Sequence, residues 1–282
     1  MNIKCFLIFL VLSSFCNILN TYFRFIKLSL KVYKLILFKK SFYLAFVNIF
    51  IYFKSPLKIL IRYVFEVGNY PENIFVRTPL GLQCMTAFSH HDLITIIECF
   101  GKLDYEAPNS LSVVVDFGSN IGISALYFLT RNEGVKVYLF EPVPRNIERL
   151  KQNLKGFEER YELRECAVGI EDGCLDFACD DTGRYGGLIK GGAIHFSQWD
   201  PKQIMTVNVV SANKVLDEIL TQQKCADIVK VDVEGYENKI LSSITRENLS
   251  RIDRIYAETT DDQEILGFSR ESYGGLTRYY RL

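Results

Sequence analysis

The first 65 residues contain no aspartate and no glutamate, although the 282-residue chain carries 33 acidic and 33 basic side chains. Ten of the basic residues lie in this segment, so the rest of the chain has a formal charge of −10. Nucleic-acid binding depends on a basic surface that neutralises phosphates. The acidic remainder therefore argues against nucleic acid as a substrate, and we expect no nucleic-acid partner.

The eight cysteines include no Cys-x-x-Cys pair. The closest two, Cys174 and Cys179, are five residues apart, which fits neither a zinc knuckle nor a redox dithiol. His90 and His91 are adjacent, so their side chains point in different directions on a helix or a strand and make a poor metal-binding pair. These absences predict a chain without a metal site in a reducing compartment.

The glycine pattern of a dinucleotide-binding turn is also incomplete. Residues 113–129 read as a buried strand, a tight turn and an apolar helix, which together form the entry to a nucleotide-type cofactor site. The three glycine positions of Gly-x-Gly-x-x-Gly hold Gly118, Asn120 and Ile123, which disfavours close approach to a pyrophosphate. Asp116 adds a carboxylate that suits a cationic, amino-bearing ligand. S-adenosylmethionine therefore fits this turn better than NAD does.

The next predicted strand, residues 135–140, ends in Glu141. We expect this carboxylate to accept hydrogen bonds from a ribose diol; the alternative is a charge that favours the N-terminus of the helix after Pro142. Gly118 permits the turn, and Gly122 is expected to let the following helix begin close to the ligand. A structural strand–helix turn without a ligand is the alternative for the whole segment.

Strands and helices alternate from residue 111 onward, which predicts an α/β fold with a mostly parallel sheet covered on both faces. Only 24 residues follow Glu258, enough for one final strand within residues 275–282 but hardly for a strand pair with a crossover helix. The predicted strands are residues 111–117, 135–140, 161–168, 205–210, 227–233 and 252–258. The predicted helices are residues 121–130, 145–154, 213–220 and 236–243.

Three regions are expected along the chain: a basic, apolar leader at residues 1–65, a linker with a hairpin and a capping helix at residues 66–110, and a cofactor-binding domain at residues 111–282. The leader's first apolar run is shorter than a spanning helix needs. Residues 22–40 form a basic amphipathic pattern with aromatics, which predicts association with an anionic membrane surface on the cytoplasmic side. The alternative is a helical extension docked on the domain with solvated lysines.

Residues 228–234 read Ile-Val-Lys-Val-Asp-Val-Glu, which is unusual for a central parallel strand because such strands are apolar on both faces. Lys230, Asp232 and Glu234 alternate with valines and form one charged row. Lysine and aspartate are rarely buried unless paired. The row predicts a polar catalytic site beside the cofactor, in which a carboxylate orients an acceptor hydroxyl or takes its proton. The alternative is an internal salt bridge that positions the loop.

The loop at residues 183–195 contains five of the 18 glycines and is a candidate lid or acceptor-binding segment. His195 at its end is a candidate general base, since the unperturbed pKa of histidine is about 6.5. An ordinary surface histidine is the alternative. With the charged row, the candidate catalytic residues are Lys230, Asp232, Glu234 and His195.

Four motifs occur in order: Asp-Phe-Gly-Ser-Asn-Ile-Gly at 116–122, Phe-Glu-Pro at 140–142, Cys-Ala-Val-Gly at 166–169 and Val-Lys-Val-Asp-Val-Glu-Gly-Tyr-Glu at 229–237. Over residues 111–258, this set resembles the FkbM-type family of S-adenosylmethionine-dependent methyltransferases. The resemblance implies a Rossmann-like class I methyltransferase sheet and hydroxyl acceptors, often on sugars or polyketide-type molecules. It also implies that Asp116 faces the methionine part of the cofactor, Glu141 the ribose, and the backbone at Ala167 the adenine. The candidate cofactor-binding residues are Asp116, Gly118, Ser119, Asn120, Gly122, Glu141 and Ala167.

The sequence thus predicts an O-methyltransferase that acts on a small-molecule, sugar or lipid-linked acceptor. One alternative is a nucleotide-sugar or NAD-dependent oxidoreductase on a similar fold. The glycine pattern and the absence of a Tyr-x-x-x-Lys pair on a helix count against it. The other alternative is a non-catalytic membrane scaffold, against which the intact Asp116, Gly118, Gly122 and Glu141 count.

Overall fold

The computed structural model describes residues 40–179, 186–188, 203–233, 235–259, 263–273 and 275–282. The strands are β1 (Glu72–Thr78), β2 (Gly81–Ala87), β3 (Val113–Phe117), β4 (Lys136–Phe140), β5 (Tyr161–Arg164), β6 (Ala167–Gly169), β7 (Gly173–Cys179), β8 (Gly186–Leu188), β9 (Gln203–Ser211), β10 (Ala226–Val231), β11 (Ile252–Ala257), β12 (Phe268–Tyr273) and β13 (Leu276–Arg281). The α-helices are α1 (Lys40–Tyr52), α2 (Pro56–Phe65), α3 (His90–Ile97), α4 (Ile123–Leu129), α5 (Pro144–Asn153), α6 (Ala212–Gln223), α7 (Glu237–Ser243) and α8 (Arg246–Leu249). A π-helical turn (Glu98–Lys102) follows α3, and a 3-10 turn (Glu158–Arg160) precedes β5.

A seven-stranded sheet in the order β12-β13-β11-β10-β3-β4-β5 forms the centre of the fold. Strands β5, β4, β3, β10 and β11 are parallel, and β13 is antiparallel to both of its neighbours. Separate apolar clusters cover the two faces. All five side chains of β3 are buried, as expected for a central strand covered on both faces. The predicted α/β fold with a mostly parallel sheet is confirmed.

The far edge of this sheet differs from the sequence prediction. Both β12 and β13 form from the last residues of the chain and pair with each other along their full length. Strand β13 also pairs with β11, so the edge is complete. The expectation of a single final strand was wrong because residues 258–259 and 263–267, the described part of the connection from β11, contain no helix.

A smaller four-stranded sheet, β6-β9-β7-β8, lies beyond the end of β5. The predicted strand at residues 161–168 is divided between the two sheets, since β5 pairs with β4 and β6 pairs with β9. The Cys166 amide donates to the Arg164 carbonyl at 2.9 Å, a local bond that turns the chain between the two strands. Ala167 therefore lies directly after the end of β5, buried at the start of β6.

The N-terminal layer, residues 40–102, packs against the domain. Helix α1 lies on the π-helical turn, where the Asn48 side chain donates to the Gly101 carbonyl at 2.7 Å. Ile49 and Phe53 join an apolar cluster that continues into the hairpin and the main sheet. The apolar core therefore crosses residue 65, the predicted boundary of the leader. The predicted amphipathic segment at residues 22–40 lies outside the described residues except for its last residue.

The rest of the linker follows the sequence prediction. The hairpin around Pro79 and Gly81 is confirmed, with β1 and β2 paired from end to end. The predicted capping helix is α3, whose N-terminus is capped by the Ser89 side chain. Within the described parts of the chain, no helix has the length and apolar character needed to cross a membrane.

Candidate active site at the carboxyl edge of the sheet

The candidate site lies where β3 and β10 run side by side. From β3 the chain proceeds to β4 and β5 on one side, whereas β10 and β11 occupy the other side. The strand order therefore reverses between β3 and β10, the position at which open α/β sheets bind ligands beyond the carboxyl ends of their strands. Asp116 and Lys230 are directly paired in the register of these two strands. The structure brings the first predicted motif and the charged row together.

Lys230 joins the two motifs through a buried ion network. Its Nζ lies 3.0 Å from Asp116 Oδ1, 3.0 Å from Asp232 Oδ2 and 2.9 Å from the carbonyl oxygen of Gly118. The second oxygen of Asp116, Oδ2, accepts from the Ser124 hydroxyl at 2.6 Å. A lysine ammonium has three N–H donors, and all three have acceptors here. This arrangement favours the salt-bridge alternative for Lys230, with the lysine positioning the carboxylates.

The members of this network differ in exposure. The side chains of Asp116 and Lys230 are 0% and 3% exposed, whereas that of Asp232 is 24% exposed. Burial opposes the charge on Lys230, but the carboxylates of Asp116 and Asp232 outweigh it and raise the pKa of the lysine well above its usual range. The lysine therefore stays charged. Asp232 is the member of the network that can also reach a molecule in the cleft.

Gly118 and Gly122 both have a φ of 81°, and each is required by a close neighbour. A Cβ on Gly118 would lie 1.7 Å from the backbone oxygen of Asp232, so no side chain fits. A Cβ on Gly122 would lie 3.1 Å from Leu150 and 3.2 Å from Leu154, both at the C-terminal end of α5. Gly122 therefore allows the turn to approach α5 closely, and its contact with a cofactor stays a prediction.

The amides of this turn are mostly used within the protein. Gly118 and Ser119 both donate to the carbonyl of Phe140, at 3.1 and 3.0 Å, and Gly122 donates to the carbonyl of Ser119 at 2.9 Å. The Asn120 amide donates to Glu141 at 2.9 Å. Phosphate-binding turns instead point their amides at the ligand. These four amides are therefore not available to a pyrophosphate.

Ser119 and Asn120 also have defined structural parts in the turn. The Ser119 hydroxyl donates to the Asp116 carbonyl at 2.9 Å and accepts from the Phe140 amide at 3.1 Å, and its side chain is buried. Asn120 adopts a positive φ of 47°, a conformation that asparagine tolerates better than most residues. Both residues hold the turn between β3 and β4, and their contact with a cofactor stays a prediction.

Glu141 connects the turn to the start of α5. Its Oε2 accepts from the Asn120 amide, while Oε1 accepts from the Val143 amide at 3.0 Å and from Asn146 Nδ2 at 3.1 Å. Burial raises the pKa of Glu141 to about 7, although the three hydrogen bonds act in the opposite direction. The contacts at Val143 and Asn146 agree with the helix-terminus alternative. A carboxylate has room for further donors, so a ribose contact remains open.

The cleft above the network, here called the acidic cleft, also receives side chains from the N-terminal layer and from β11. Asp92 and Glu98 line it, together with Tyr105, Asp232 and Glu258. The Tyr105 hydroxyl donates to Glu258 Oε1 at 3.4 Å, and Lys230 Nζ lies 5.5 Å from the centre of the Tyr105 ring. The described lining has four carboxylates and one ammonium, and a fifth carboxylate, Asp116, lies behind them. Such a surface favours a cationic ligand.

Two predicted catalytic residues, Glu234 and His195, lie outside the described residues. Beside position 234, Glu237 holds the turn after β10: its carboxylate accepts from the Val233 amide at 3.0 Å and from the Gly235 amide at 2.9 Å. Among the described residues, no group of three His, Cys, Asp or Glu side chains could hold a metal ion. The expectation of a site without metal stays a prediction.

A sequence profile of the methyltransferase FkbM domain matches residues 116–274, which is more than half of the chain. The chain belongs to the FkbM methyltransferase family. The matched region begins at Asp116 and includes β10, so it contains both halves of the ion network. The resemblance predicted from the four motifs is confirmed, and the chain is assigned to the methyl-transfer enzymes. The strand order and this assignment together give the expected Rossmann-like sheet of class I methyltransferases.

Three curated relatives are similar at low identity. Methyltransferase 1 of Beauveria bassiana is 25% identical over 61% of this chain and 73% of that protein. The 2-O-methyltransferase NoeI of Sinorhizobium fredii is 26% identical over 54% of this chain and 64% of that protein. The 31-O-demethyl-FK506 methyltransferase FkbM of Streptomyces tacrolimicus is 27% identical over 55% and 68%, respectively. The matches thus leave out a quarter or more of each relative.

Solved structures also match. The methyltransferase FkbM of Methylobacillus flagellatus is 15% identical with a TM-score of 0.39, and the match covers 68% of this chain and 54% of that one. A methyltransferase of Geobacter sulfurreducens is 16% identical with a TM-score of 0.35, over 62% of this chain and 72% of that one. This chain spans about half the length of the Methylobacillus protein.

Proposed function

We propose that this chain transfers a methyl group from S-adenosylmethionine to a hydroxyl oxygen of a small-molecule, sugar or lipid-linked acceptor. The observation that carries the proposal is the acidic cleft at the ends of β3 and β10, with a partly exposed Asp232 held by a buried lysine. Two relatives, NoeI and FkbM, have names that describe methyltransferases acting on oxygen. Their names support an oxygen acceptor here and leave its class open.

The cleft fits S-adenosylmethionine better than it fits a dinucleotide. The cofactor carries a sulfonium and an ammonium group, which a carboxylate-lined cleft favours, whereas the two phosphates of NAD would be repelled. The turn amides at residues 118–120 and 122 have acceptors within the protein, which removes the usual donors to a pyrophosphate. Both oxygens of Asp116 have partners, so a contact with the cofactor ammonium would need a remaining lone pair of this carboxylate.

We assign Asp232 the role of orienting the acceptor hydroxyl or taking its proton. When bound, S-adenosylmethionine would supply an electrophilic methyl group, and Asp232 would orient the acceptor hydroxyl toward it and take the released proton or pass it to water. Positioning accounts for most of the rate in such a transfer, and a general base adds roughly 10²–10⁴-fold. Lys230 fixes the carboxylate in place through the 3.0 Å contact.

The proposal includes association of residues 1–65 with an anionic membrane surface on the cytoplasmic side. Support comes from the ten basic residues without an acidic one and from the apolar side chains that α1 and α2 expose. Each basic residue near an anionic bilayer contributes about 1 kcal/mol of binding free energy. Such a location would bring the enzyme to lipid-linked acceptors.

Titration calorimetry with the full chain tests the cofactor. We expect S-adenosylhomocysteine to bind and NAD to give no binding heat. The full chain is needed because Ala45, Ile49, Phe53 and Ile59 belong to the apolar core, so a fragment starting at residue 66 would lose them. Binding of NAD without S-adenosylhomocysteine would replace the proposal with the oxidoreductase, and binding of neither would favour a scaffold.

A further inference from the structure

A second cavity, of about 450 Å³, lies at the opposite end of α4 from the acidic cleft. We call it the distal cavity. Ile123 at the start of α4 lines the acidic cleft, whereas Tyr127 and Arg131 at the other end line the distal cavity. Its remaining described walls come from the end of α1, the β1–β2 turn and residues 100–109, and none of the described residues lines both spaces. The volume is within the range of small-molecule sites.

Two arginines without carboxylate partners face this cavity. Arg131 donates from Nε to the Tyr127 carbonyl at 3.1 Å and lies 4.2 Å from the Tyr127 ring, while Arg77 donates to the Ile51 carbonyl at 3.4 Å. Neither forms an ion pair with any described residue. The carboxylate in the lining, Glu106, lies 3.9 Å from Arg278.

Arg160 shows how a partly buried arginine is usually satisfied in this protein: its guanidinium donates to the carbonyls of Leu129 and Asn132. Burial lowers the pKa of the Arg131 guanidinium, as it also does at Arg160. The difference between the two lies in their partners, since Arg131 has a single backbone carbonyl and an aromatic ring. The half-buried Arg131 and the exposed Arg77 lie beside apolar walls made by Ile51, Phe100 and Leu103. Such a surface suits an anion that also carries apolar groups.

The face of the protein around the distal cavity is apolar. Helix α1 buries Ala45 and Ile49 and yet exposes other apolar side chains, so it is apolar on nearly all sides. Ile51, at 52% exposed, belongs both to this face and to the cavity wall. Large exposed apolar side chains concentrated on one element in this way indicate an interaction site. The exposed members are Tyr43, Leu44, Phe46, Phe50, Ile51 and Tyr52 of α1, Leu57 and Ile61 of α2, and Leu82 of β2.

We propose that the distal cavity binds the phosphate of an anionic phospholipid through Arg77 and Arg131, with the exposed face of α1 and α2 lying in the membrane surface. This inference rests on the proposed membrane association and adds to it a defined lipid site. A soluble anion would leave the apolar face uncovered. A second copy of the chain would bring two segments together that each carry ten basic residues and no acidic one, which disfavours that occupant.

Titration of the full chain with dihexanoyl phosphatidate, a soluble phospholipid, tests the site directly, and inorganic phosphate serves as the headgroup without acyl chains. We expect the lipid to bind and inorganic phosphate to bind far more weakly. The double variant R77Q/R131Q should weaken lipid binding by roughly tenfold or more, the range for hydrogen bonds to charged groups. The control R246Q/R251Q removes two arginines of the α8 region, the exposed Arg246 and the half-buried Arg251, which pairs with Glu247, and it should bind as the wild type does.

A second variant, Ala107→Leu, fills part of the cavity without changing any charge. It should also weaken lipid binding, and thermal melting of each variant checks that the fold is kept. The proposal is overturned if the wild type binds no phosphatidate. This result is the one expected if another part of the chain, such as residues 1–39, fills the cavity instead. It is also overturned if R77Q/R131Q binds as tightly as the wild type, or if inorganic phosphate binds as tightly as the lipid.

Two further measurements separate this inference from the proposals it accompanies. S-adenosylhomocysteine affinity should be equal in the wild type and in R77Q/R131Q, because neither arginine lines the acidic cleft and the described linings of the two spaces do not overlap. Lipid binding by a wild type that binds no S-adenosylhomocysteine would keep the lipid site and remove the methyltransferase proposal. Vesicles of phosphatidylcholine and phosphatidylserine test the membrane association on which this inference rests: we expect the full chain to float with them, and a full chain that stays at the bottom would remove that association.

Discussion

The acidic cleft and the distal cavity lie at the two ends of α4 and differ in how their basic side chains are paired. In the cleft, Lys230 is buried and satisfied by two carboxylates and a carbonyl, so its charge is part of the folded core. At the distal cavity, Arg77 and Arg131 have no carboxylate partner among the described residues. The comparison distinguishes a charge that stabilises the folded core, that of Lys230, from charges that we propose bind a ligand, those of Arg77 and Arg131. Removing the first kind should cost stability, and removing the second should cost binding.

The largest expected effect is the loss of stability on removing the buried ammonium. Lys230→Met leaves Asp116 and Asp232 as unpaired neighbouring carboxylates, and we expect the free energy of unfolding to fall by about 3–5 kcal/mol. Arg77→Gln, the matched change at the distal cavity, should alter it by less than about 0.5 kcal/mol. Urea denaturation of both variants measures the difference. Equal losses would show that the two regions do not differ in this way.

The second prediction compares two glycines with positive φ, Gly118 in the cleft and Gly81 in the β1–β2 turn. Gly118→Ala should destabilise by about 3 kcal/mol or more, since backbone strain adds to a collision with the Asp232 carbonyl. A Cβ on Gly81 meets nothing within 4 Å, so Gly81→Ala should cost only the backbone term of about 1–2 kcal/mol. Denaturant midpoints of the two variants test it, and a Gly118→Ala protein as stable as Gly81→Ala would contradict the close approach of Gly118 to Asp232.

The third prediction concerns Asp232 and is a loss of rate. Asp116 still pairs with Lys230 when Asp232 is replaced by asparagine, so melting should be nearly unchanged. We expect turnover to fall by roughly 10²-fold or more, with S-adenosylhomocysteine affinity retained. A methyl-transfer assay and a melting curve on the same sample measure both. A large drop in melting with normal turnover per folded molecule would make Asp232 structural.

The fourth prediction is a pH dependence centred on Glu141. Its folded pKa of about 7 lies above the ordinary value of 4.5, so between these values the folded protein holds a proton that the unfolded chain has released. The contribution of Glu141 to stability is therefore full below about pH 4.5, decreases up to about pH 7 and is constant above. If ionised Glu141 accepts the ribose hydroxyls, S-adenosylhomocysteine affinity should fall up to about tenfold per pH unit below 7.

Glu141→Gln provides the control for both halves of this prediction, because it keeps the side-chain size and does not titrate. Its cofactor affinity and its stability should lose the dependence on pH between about 5 and 7. Phosphatidate binding at the distal cavity should not vary in that window through the protein, since arginine stays charged there. A wild-type cofactor affinity that is flat from about pH 5 to 8 would remove Glu141 from the cofactor site.

The part of the site carried by strand ends could be predicted from the sequence. Asp116 and Lys230 are each followed by short polar or glycine-containing turns after apolar runs, and parallel strands place such ends at one edge. The role of Lys230 could not be predicted from the sequence, because a row of charged residues along a strand is compatible with both an exposed site and an internal ion pair. The structure favours the ion pair by bringing Asp116 to the lysine.

Other residues of the acidic cleft could not be predicted, because no motif in the sequence around them indicates that they belong to the site. Asp92, Glu98 and Tyr105 reach it from the N-terminal layer, and only tertiary packing brings them there. The break at residues 165–166 was missed since β5 and β6 together read as one strand, and nothing in their side-chain pattern shows that they join different sheets. The β12–β13 pair was missed because a crossover helix was assumed where the described residues form a loop.

The fit between Gly118 and the carbonyl of Asp232 has an evolutionary consequence. A clash between two side chains can be relieved by shrinking either partner, so two such positions can drift together through a series of paired replacements. Here the obstacle is a backbone oxygen 1.7 Å from the place of a Cβ, and every amino acid at position 232 carries that oxygen. No second mutation at Asp232 can compensate for a first one at Gly118. Descendants of this chain that keep the fold should therefore keep this glycine, whatever acceptor they come to use.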